Sequence, residues 1–284
     1  MNKFVLSGFA DEIDMDLTKQ MDVLEKLGIH YIEMRGVNGK NIVEHSLEEV
    51  KEIKQQLDAR GFKLSAIGSP IGKIGITDDF GPHLKLFKHT VEIAKIMETK
   101  YIRLFSFYIP KGQNPDTYRE EVLYRLREFI KASEGSGIVL LHENEKEIYG
   151  ETAKRCLDLL QTLNCDFFKA IMDPANFVQA DEETFPKAYE LLMDYIVYMH
   201  IKDAVSNNRQ PVPSGYGDAR IKEILNALYE RGFEGFLSIE PHLGAFKGFS
   251  SLELNNYSEE VSYDGEQLFE IATVALKTII RQIG

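Results

Sequence analysis

The sequence predicts one α/β domain, residues 1–284, folded as a (β/α)8 barrel. Three observations carry that prediction. Apolar strand-like runs alternate with amphipathic helical stretches eight times along the chain, which points to a parallel sheet with right-handed crossovers. The length of 284 residues suits a closed barrel, for which about 250 is typical. The run Ile138-Val139-Leu140-Leu141 ends abruptly in His142-Glu143-Asn144-Glu145. Four consecutive aliphatic residues fit a strand buried on both faces. The pattern recurs in Phe168 to Asp173, Tyr195 to His200 and Gly235 to Glu240, so four runs end in Glu, Asp, His and Glu.

Val5 to Phe9 reads as the first strand. Asp16 to Leu27 reads as a helix, with Leu17, Met21, Leu24 and Leu27 on one face and Gly28 as its stop. Ile29 to Arg35 is the second strand. Ser46-Leu47-Glu48-Glu49 is a capping box that opens a helix to Arg60, stopped by Gly61. Phe62 to Ile67 is the third strand, Asp79 to Glu98 a helix and Tyr101 to Phe105 the fourth strand. Pro115 sits at a helix start, where its missing N–H costs nothing, and that helix runs to about Ser133. After the fifth strand, Thr152 to Leu163 is helical and Phe168 to Met172 is the sixth strand. Phe185 to Asp194 reads as a helix, Tyr195 to His200 as the seventh strand and Ala219 to Arg231 as the next helix. Gly235 to Ile239 is the eighth strand, and Gly265 to Gln282 closes the chain as a helix. The loop from His242 to Tyr263 carries Phe246, Phe249 and Leu252. A long loop with aromatics over a barrel mouth suits a substrate lid.

Lys and Arg number 33 and Asp and Glu 45, a net charge of −12. An acidic surface repels phosphate backbones and anionic head groups, so neither nucleic acid nor a membrane is an expected partner. No stretch approaches the ~18 apolar residues of a membrane span, and the apolar run at the N-terminus is too short for a signal peptide. Cys156 and Cys165 do not form a CxxC pair and read as reduced thiols of a cytoplasmic protein. The expected partner is a small molecule; homo-oligomerisation is left open.

Barrel active sites sit at the C-terminal ends of the strands, where Glu143, Asp173, His200 and Glu240 fall. Any one such residue is ordinarily solvated or capping a helix, but four on consecutive strands make that explanation strained. Three carboxylates meeting without a cation would raise each other's pKa. One divalent metal ion resolves the repulsion, and three oxygens with one imidazole suit Mn²⁺, Mg²⁺, Co²⁺ or Zn²⁺. Glu145 shares a face with Glu143 by strand alternation, and Glu143 is preferred because it lies nearer the apolar run. Glu33, Arg35, Lys73, Arg103 and Lys202 are expected around the mouth, either binding polar groups of a ligand or forming salt bridges. Lys73, in a Gly-rich loop, is the best phosphate candidate.

His142-Glu143-Asn144-Glu145, Met172-Asp173-Pro174-Ala175-Asn176-Phe177, His200-Ile201-Lys202-Asp203 and Ile239-Glu240-Pro241-His242 together resemble the xylose isomerase-like barrel superfamily of sugar and sugar-phosphate isomerases and epimerases. Gly8-Phe9-Ala10-Asp11-Glu12 and Gly215-Tyr216-Gly217-Asp218 fit the same pattern, which spans nearly the whole chain. The resemblance implies Glu143, Asp173, His200 and Glu240 as metal ligands. It implies Glu143 and Glu240 as proton carriers on opposite faces of a carbohydrate substrate. Arg35, Lys73, Asn176, Lys202, Arg209 and His242 are the substrate-binding candidates. Asn176 stands where the ketose 3-epimerases carry a histidine, and Arg209 is the nearest arginine downstream of the metal histidine. A metal on a carbonyl oxygen and its neighbouring hydroxyl would stabilise an enediolate, and a carboxylate would remove the C–H proton. Reprotonation gives an isomerase or epimerase. Loss of a hydroxyl instead gives a dehydratase like those acting on inosose or dehydroshikimate. An endonuclease IV-like nuclease fits less well, because the early strand ends offer no histidine. A barrel that binds sugar without turnover would not need both glutamates.

Overall fold

The computed structural model describes residues 4–245 and 263–283. Its centre is a barrel of eight parallel strands: β1 (Phe4–Gly8), β2 (Tyr31–Met34), β3 (Lys63–Ile67), β4 (Tyr101–Leu104), β5 (Val139–Glu143), β6 (Phe168–Met172), β7 (Ile196–Ile201) and β8 (Gly235–Ile239). The hydrogen-bonded order is β1-β8-β7-β6-β5-β4-β3-β2, all parallel. β1 and β2, at the two ends of that order, pack against each other and nearly close the barrel. Residues 246–262 of the loop expected to act as a lid, with Phe246, Phe249 and Leu252, lie outside the described residues.

Helices α1 (Leu17–Lys26), α2 (Leu47–Ala59), α3 (Phe80–Ile96), α4 (Arg119–Ser133) and α5 (Ala153–Leu163) follow the first five strands. Their apolar stripes meet the outer face of the sheet in the main core, through residues such as Leu24, Leu57, Phe87, Phe129 and Leu159. The local signals act as their chemistry requires. Ser46 Oγ accepts from Glu49 N at 3.3 Å while the Glu49 carboxylate accepts from Ser46 N at 2.7 Å, which satisfies two donors at the start of α2. Gly28 and Gly61 carry the positive φ that ends α1 and α2. Pro115 opens a 3-10 turn, Pro115–Tyr118, that leads into α4. Inside the barrel Ala66, Leu141, Ile171 and Tyr198 form a separate buried cluster, packed against Tyr101 and Phe236.

Between β6 and β7 the helix expected over Phe185 to Asp194 is present as a π-helical segment, Thr184–Ala188, that runs into the short α7 (Tyr189–Leu192), and an additional helix, α6 (Pro174–Gln179), precedes it. Pro186 disfavours helical backbone at Phe185, which is extended at φ −139° and ψ 129°. The unforeseen α6 is announced by Asp173-Pro174, an N-cap followed by proline at the first helical position. Beyond β7 the chain inserts a hairpin, pairing Asp203–Ala204 with Pro211–Val212, before α8 (Ile221–Glu230). The closing helix α9 is Gly265–Ile280.

After β3 the chain runs beside the segment that follows β4. Phe105 N donates to Ile71 O at 2.8 Å and Phe107 N to Gly72 O at 3.1 Å, and this seats Lys73 at the mouth. Gly72 has φ +88°, and a β-carbon there would run into the backbone of Phe105. Gly72→Ala is therefore expected to destabilise the fold by roughly 3 kcal/mol, from left-handed strain plus overpacking. Gly61→Ala, at φ +72° with open space around it, should cost only about 1 kcal/mol. Urea denaturation of the two variants checks the difference; equal losses would contradict the close approach.

Candidate metal and active site

Alternation along the strands decides which side chains enter the barrel. On β7 and just beyond it, Tyr198 fills the interior, His200 sits one layer higher and Lys202 reaches the mouth. Leu141 and Glu143, Ile171 and Asp173, and Ser238 and Glu240 repeat that step on the neighbouring strands. All of these side chains are buried. One donor atom from each of Glu143, Asp173, His200 and Glu240 lies within 4.8 Å of the others.

His200 is the hub. Its Nδ1 is 3.0 Å from Glu143 Oε1, 3.7 Å from Glu240 Oε2 and 3.9 Å from Asp173 Oδ2. Its Nε2 faces the other way, 3.1 and 3.2 Å from the two oxygens of Glu33. Asp173 divides its oxygens: Oδ1 caps α6 by accepting from Asn176 N at 3.0 Å, and Oδ2 turns to the cluster. Both Asp173 Oδ2 and His200 Nδ1 are buried without a hydrogen-bond partner. Lys202 Nζ stands 2.9 Å from Asp173 Oδ2, outside hydrogen-bonding alignment, and 3.4 Å from Glu240 Oε2.

Each glutamate spans the cluster and an arginine. Glu143 Oε2 accepts from Arg103 Nη1 at 3.2 Å, and Glu240 Oε1 from Arg35 Nη1 at 3.0 Å. Arg35 is gripped in turn by Asp11 at 2.7 and 3.2 Å and by Glu12 at 3.3 Å. The guanidinium carbons of Arg35 and Arg103 lie 4.7 and 5.0 Å from the centre of the Phe9 ring, which meets the His200 ring edge-on at 5.1 Å. Phe9 thus contacts both guanidinium groups and the imidazole, a placement its position at a strand end did not signal.

The charges set the titration. Burial works against the His200 cation, but Glu143 and Glu33 outweigh it and hold the imidazole protonated well above its usual range. Burial also opposes ionisation of Glu143, yet His200 and Arg103 bring its carboxyl down to about 2. Glu240 is held well below the usual range against burial by Lys202, His242, His200 and Arg35. Asp173 rises to about 6, because burial and the neighbouring carboxylates exceed the pull of Lys202.

The other sequence candidates fall as follows. Asn176 Nδ2 donates to Glu143 Oε1 at 3.3 Å and to Asn144 O at 2.9 Å, so the amide steadies a cluster glutamate. Lys73 pairs with Glu145 at 3.0 Å and lies over Phe105. Half-exposed at the rim, His242 has Nε2 3.3 Å from Glu12 and 3.4 Å from Glu240. Arg209, 57% exposed on the inserted hairpin, pairs with Asp181 at 2.5 Å at the surface. Glu33, grouped in the sequence with Arg35 at the mouth, lies instead beneath His200. Asp203 accepts backbone N–H groups from Ala204, Gly215, Gly217 and Ala219 at 2.8–3.1 Å, which ties down the Gly215 to Asp218 turn.

The donor set fits a divalent ion. Metal–ligand bonds of about 2.0–2.2 Å put neighbouring donors roughly 3.0–3.6 Å apart, close to the separations around His200 Nδ1. Residues 21–260 match the family model described as xylose isomerase-like TIM barrel. The chain belongs to that family. Comparison with curated protein sequences gives no match. Among solved structures, a D-tagatose 3-epimerase-like protein superposes with TM-score 0.75 at 16% identity, covering 99% of this chain and 100% of that one. The IOLI protein with a bound zinc atom gives TM-score 0.74 at 17% identity, with 99% of each chain covered. A probable 3-DHS dehydratase, AsbF, from Bacillus anthracis gives 0.73 at 17% identity, covering 97% and 99%. Among the described residues no helix is long and apolar enough to cross a membrane.

If His200 Nδ1 is a ligand, metal must displace a proton that Glu143 and Glu33 hold in place. Binding of Mn²⁺ should release up to one proton, and affinity should fall by as much as tenfold per pH unit on acidification, since the raised pKa keeps His200 charged across the neutral range. Calorimetry in buffers of different ionisation enthalpy measures both; affinity independent of pH would remove His200 from the ligand set.

Proposed function

We propose that this protein is a divalent-metal-dependent isomerase or epimerase acting on a sugar or sugar phosphate. Glu143, Asp173, His200 and Glu240 would hold the ion. When bound, the ion supplies electrophilic stabilisation of the negative charge that develops as a proton leaves the carbon beside a carbonyl. The observation that carries the reading is the shared posture of Glu143 and Glu240. Each turns one oxygen into the cluster and leaves the other beside an arginine.

That posture keeps both carboxylates ionised and so ready to accept a proton. It also makes them weak bases, so they serve only a C–H already acidified by its surroundings. Glu143 and Glu240 are proposed to abstract and return the proton. Arg35 and Arg103 fix the two carboxylates and keep them charged. Asn176 orients Glu143. Lys202, at the mouth beside Asp173 and Glu240, is placed to meet a substrate hydroxyl or phosphate oxygen, and Lys73 offers a second cation further out. Epimerases and a dehydratase among the similar folds support carbohydrate proton-transfer chemistry in this barrel.

A panel of ketoses, ketose phosphates and cyclic polyol ketones with added Mn²⁺ tests the reading. Product analysis separates isomerisation from loss of water. Glu143→Gln and Glu240→Gln should each lower turnover by more than about 10²–10⁴-fold, because basicity and metal affinity fall together. In D2O the variant lacking the reprotonating residue should still wash out the substrate's α-hydrogen without forming product, and the other should do neither. Near-normal turnover in both variants with metal bound would refute the two-glutamate mechanism.

A further inference from the structure

We infer that Glu33 is the positioning residue of the metal centre, holding His200 in the tautomer and ring orientation that turn Nδ1 toward Glu143, Asp173 and Glu240. This rests on the reading that the cluster binds a metal.

Both oxygens of Glu33 lie within hydrogen-bond reach of His200 Nε2, at 3.1 and 3.2 Å. An ionised carboxylate only accepts hydrogen bonds, so it selects the imidazole form with its hydrogen on Nε2. A neutral ring so held has its lone pair on Nδ1, the atom that faces the three other carboxylates. Ring packing supports the same orientation, with Phe9 meeting His200 edge-on at 5.1 Å and Tyr198 edge-on at 6.0 Å.

Glu33 is itself braced. It projects from β2, where the ladder to β3 shifts register between Ile32 and Glu33. Its carboxylate neighbours the Tyr198 hydroxyl. Tyr198 leads to Ser65 at 2.8 Å and Ser65 to Ser7 at 2.6 Å, a hydroxyl chain across the barrel interior. Glu33 is fully buried, and among the described residues its only ion-pair partner is His200. A buried carboxylate that forms no ion pair with an arginine or lysine among the described residues is costly to keep for packing alone. Its use is to aim a ligand from the opposite wall and raise that ligand's basicity toward a metal.

The test uses the full-length protein loaded with Co²⁺, compared with Glu33→Gln and Glu33→Leu. Calorimetry gives Co²⁺ affinity. Proton NMR reports the hyperfine-shifted, solvent-exchangeable N–H of a metal-bound imidazole. Glu33→Leu should weaken Co²⁺ binding about 10–100-fold and lose the N–H resonance to solvent exchange. Glu33→Gln keeps an acceptor for the N–H. It should retain a shifted resonance and lose roughly 5–10-fold in affinity, less than the range typical of a lost partner. Should the Leu variant fail to fold, the near-isosteric Gln variant decides alone. Native-like affinity and an unchanged resonance in the Gln variant, or in both variants, would overturn the inference while leaving the metal centre intact. Failure of the native protein to bind Co²⁺ would overturn the metal reading and this inference with it.

Discussion

The structure depends on balancing charge in a dry place. Glu33, Glu143, Asp173 and Glu240 are buried at the C-terminal end of one barrel, together with His200, Arg103 and Lys202. An isolated buried carboxylate would neutralise itself or unfold its surroundings. Here each acid touches a cation or the imidazole: Glu33 and Glu143 share His200, Glu143 adds Arg103, Glu240 takes Arg35 and Lys202, and Asp173 takes Lys202. Removing one partner would leave another group charged and unsatisfied, so the cluster resists piecemeal change.

The barrel meets that constraint through periodicity. A strand places every second residue inward, so interior packing and site chemistry come from the same runs. Tyr198 packs inside while His200, two residues on, faces the carboxylates and Lys202, two further, lies beside Asp173 and Glu240. The helices contribute through their ends. Asp173 caps α6 with one oxygen and serves the cluster with the other. Asn176, in the first turn of that helix, returns to hold Glu143. Asp203 uses its own four backbone hydrogen bonds to fix the chain beyond β7, just past Lys202.

Much of this is legible in the residues. Apolar runs ending in ligand-type side chains mark β5 to β8 and the meeting of Glu143, Asp173, His200 and Glu240, because an aliphatic run followed by a charge has one economical burial. Glu33 is not legible in the same way. It sits between Ile32 and Met34 near a strand end, and nothing local tells whether it points to the rim or beneath His200. That depends on a register shift against β3 and on a partner 167 positions away. The roles of Phe9 and Asn176 are equally non-local. In the Phe185 to Asp194 helix the local signal is also non-uniform, since Pro186 leaves Phe185 extended inside an otherwise helical stretch. Arg209 lies in the turn of the inserted hairpin and pairs at the surface with Asp181, a contact between segments far apart in sequence that no local pattern announces.

The central claim is that one divalent ion sits among Glu143, Asp173, His200 and Glu240, with Nδ1 as the histidine donor. Anomalous diffraction from crystals grown with Mn²⁺ tests it most directly. The account predicts one dominant peak about 2.0–2.3 Å from Nδ1 of His200 and from an oxygen of each carboxylate, with Nε2 still on Glu33. A peak ligated through Nε2, or centred instead between Glu12, Glu240 and His242, would contradict it.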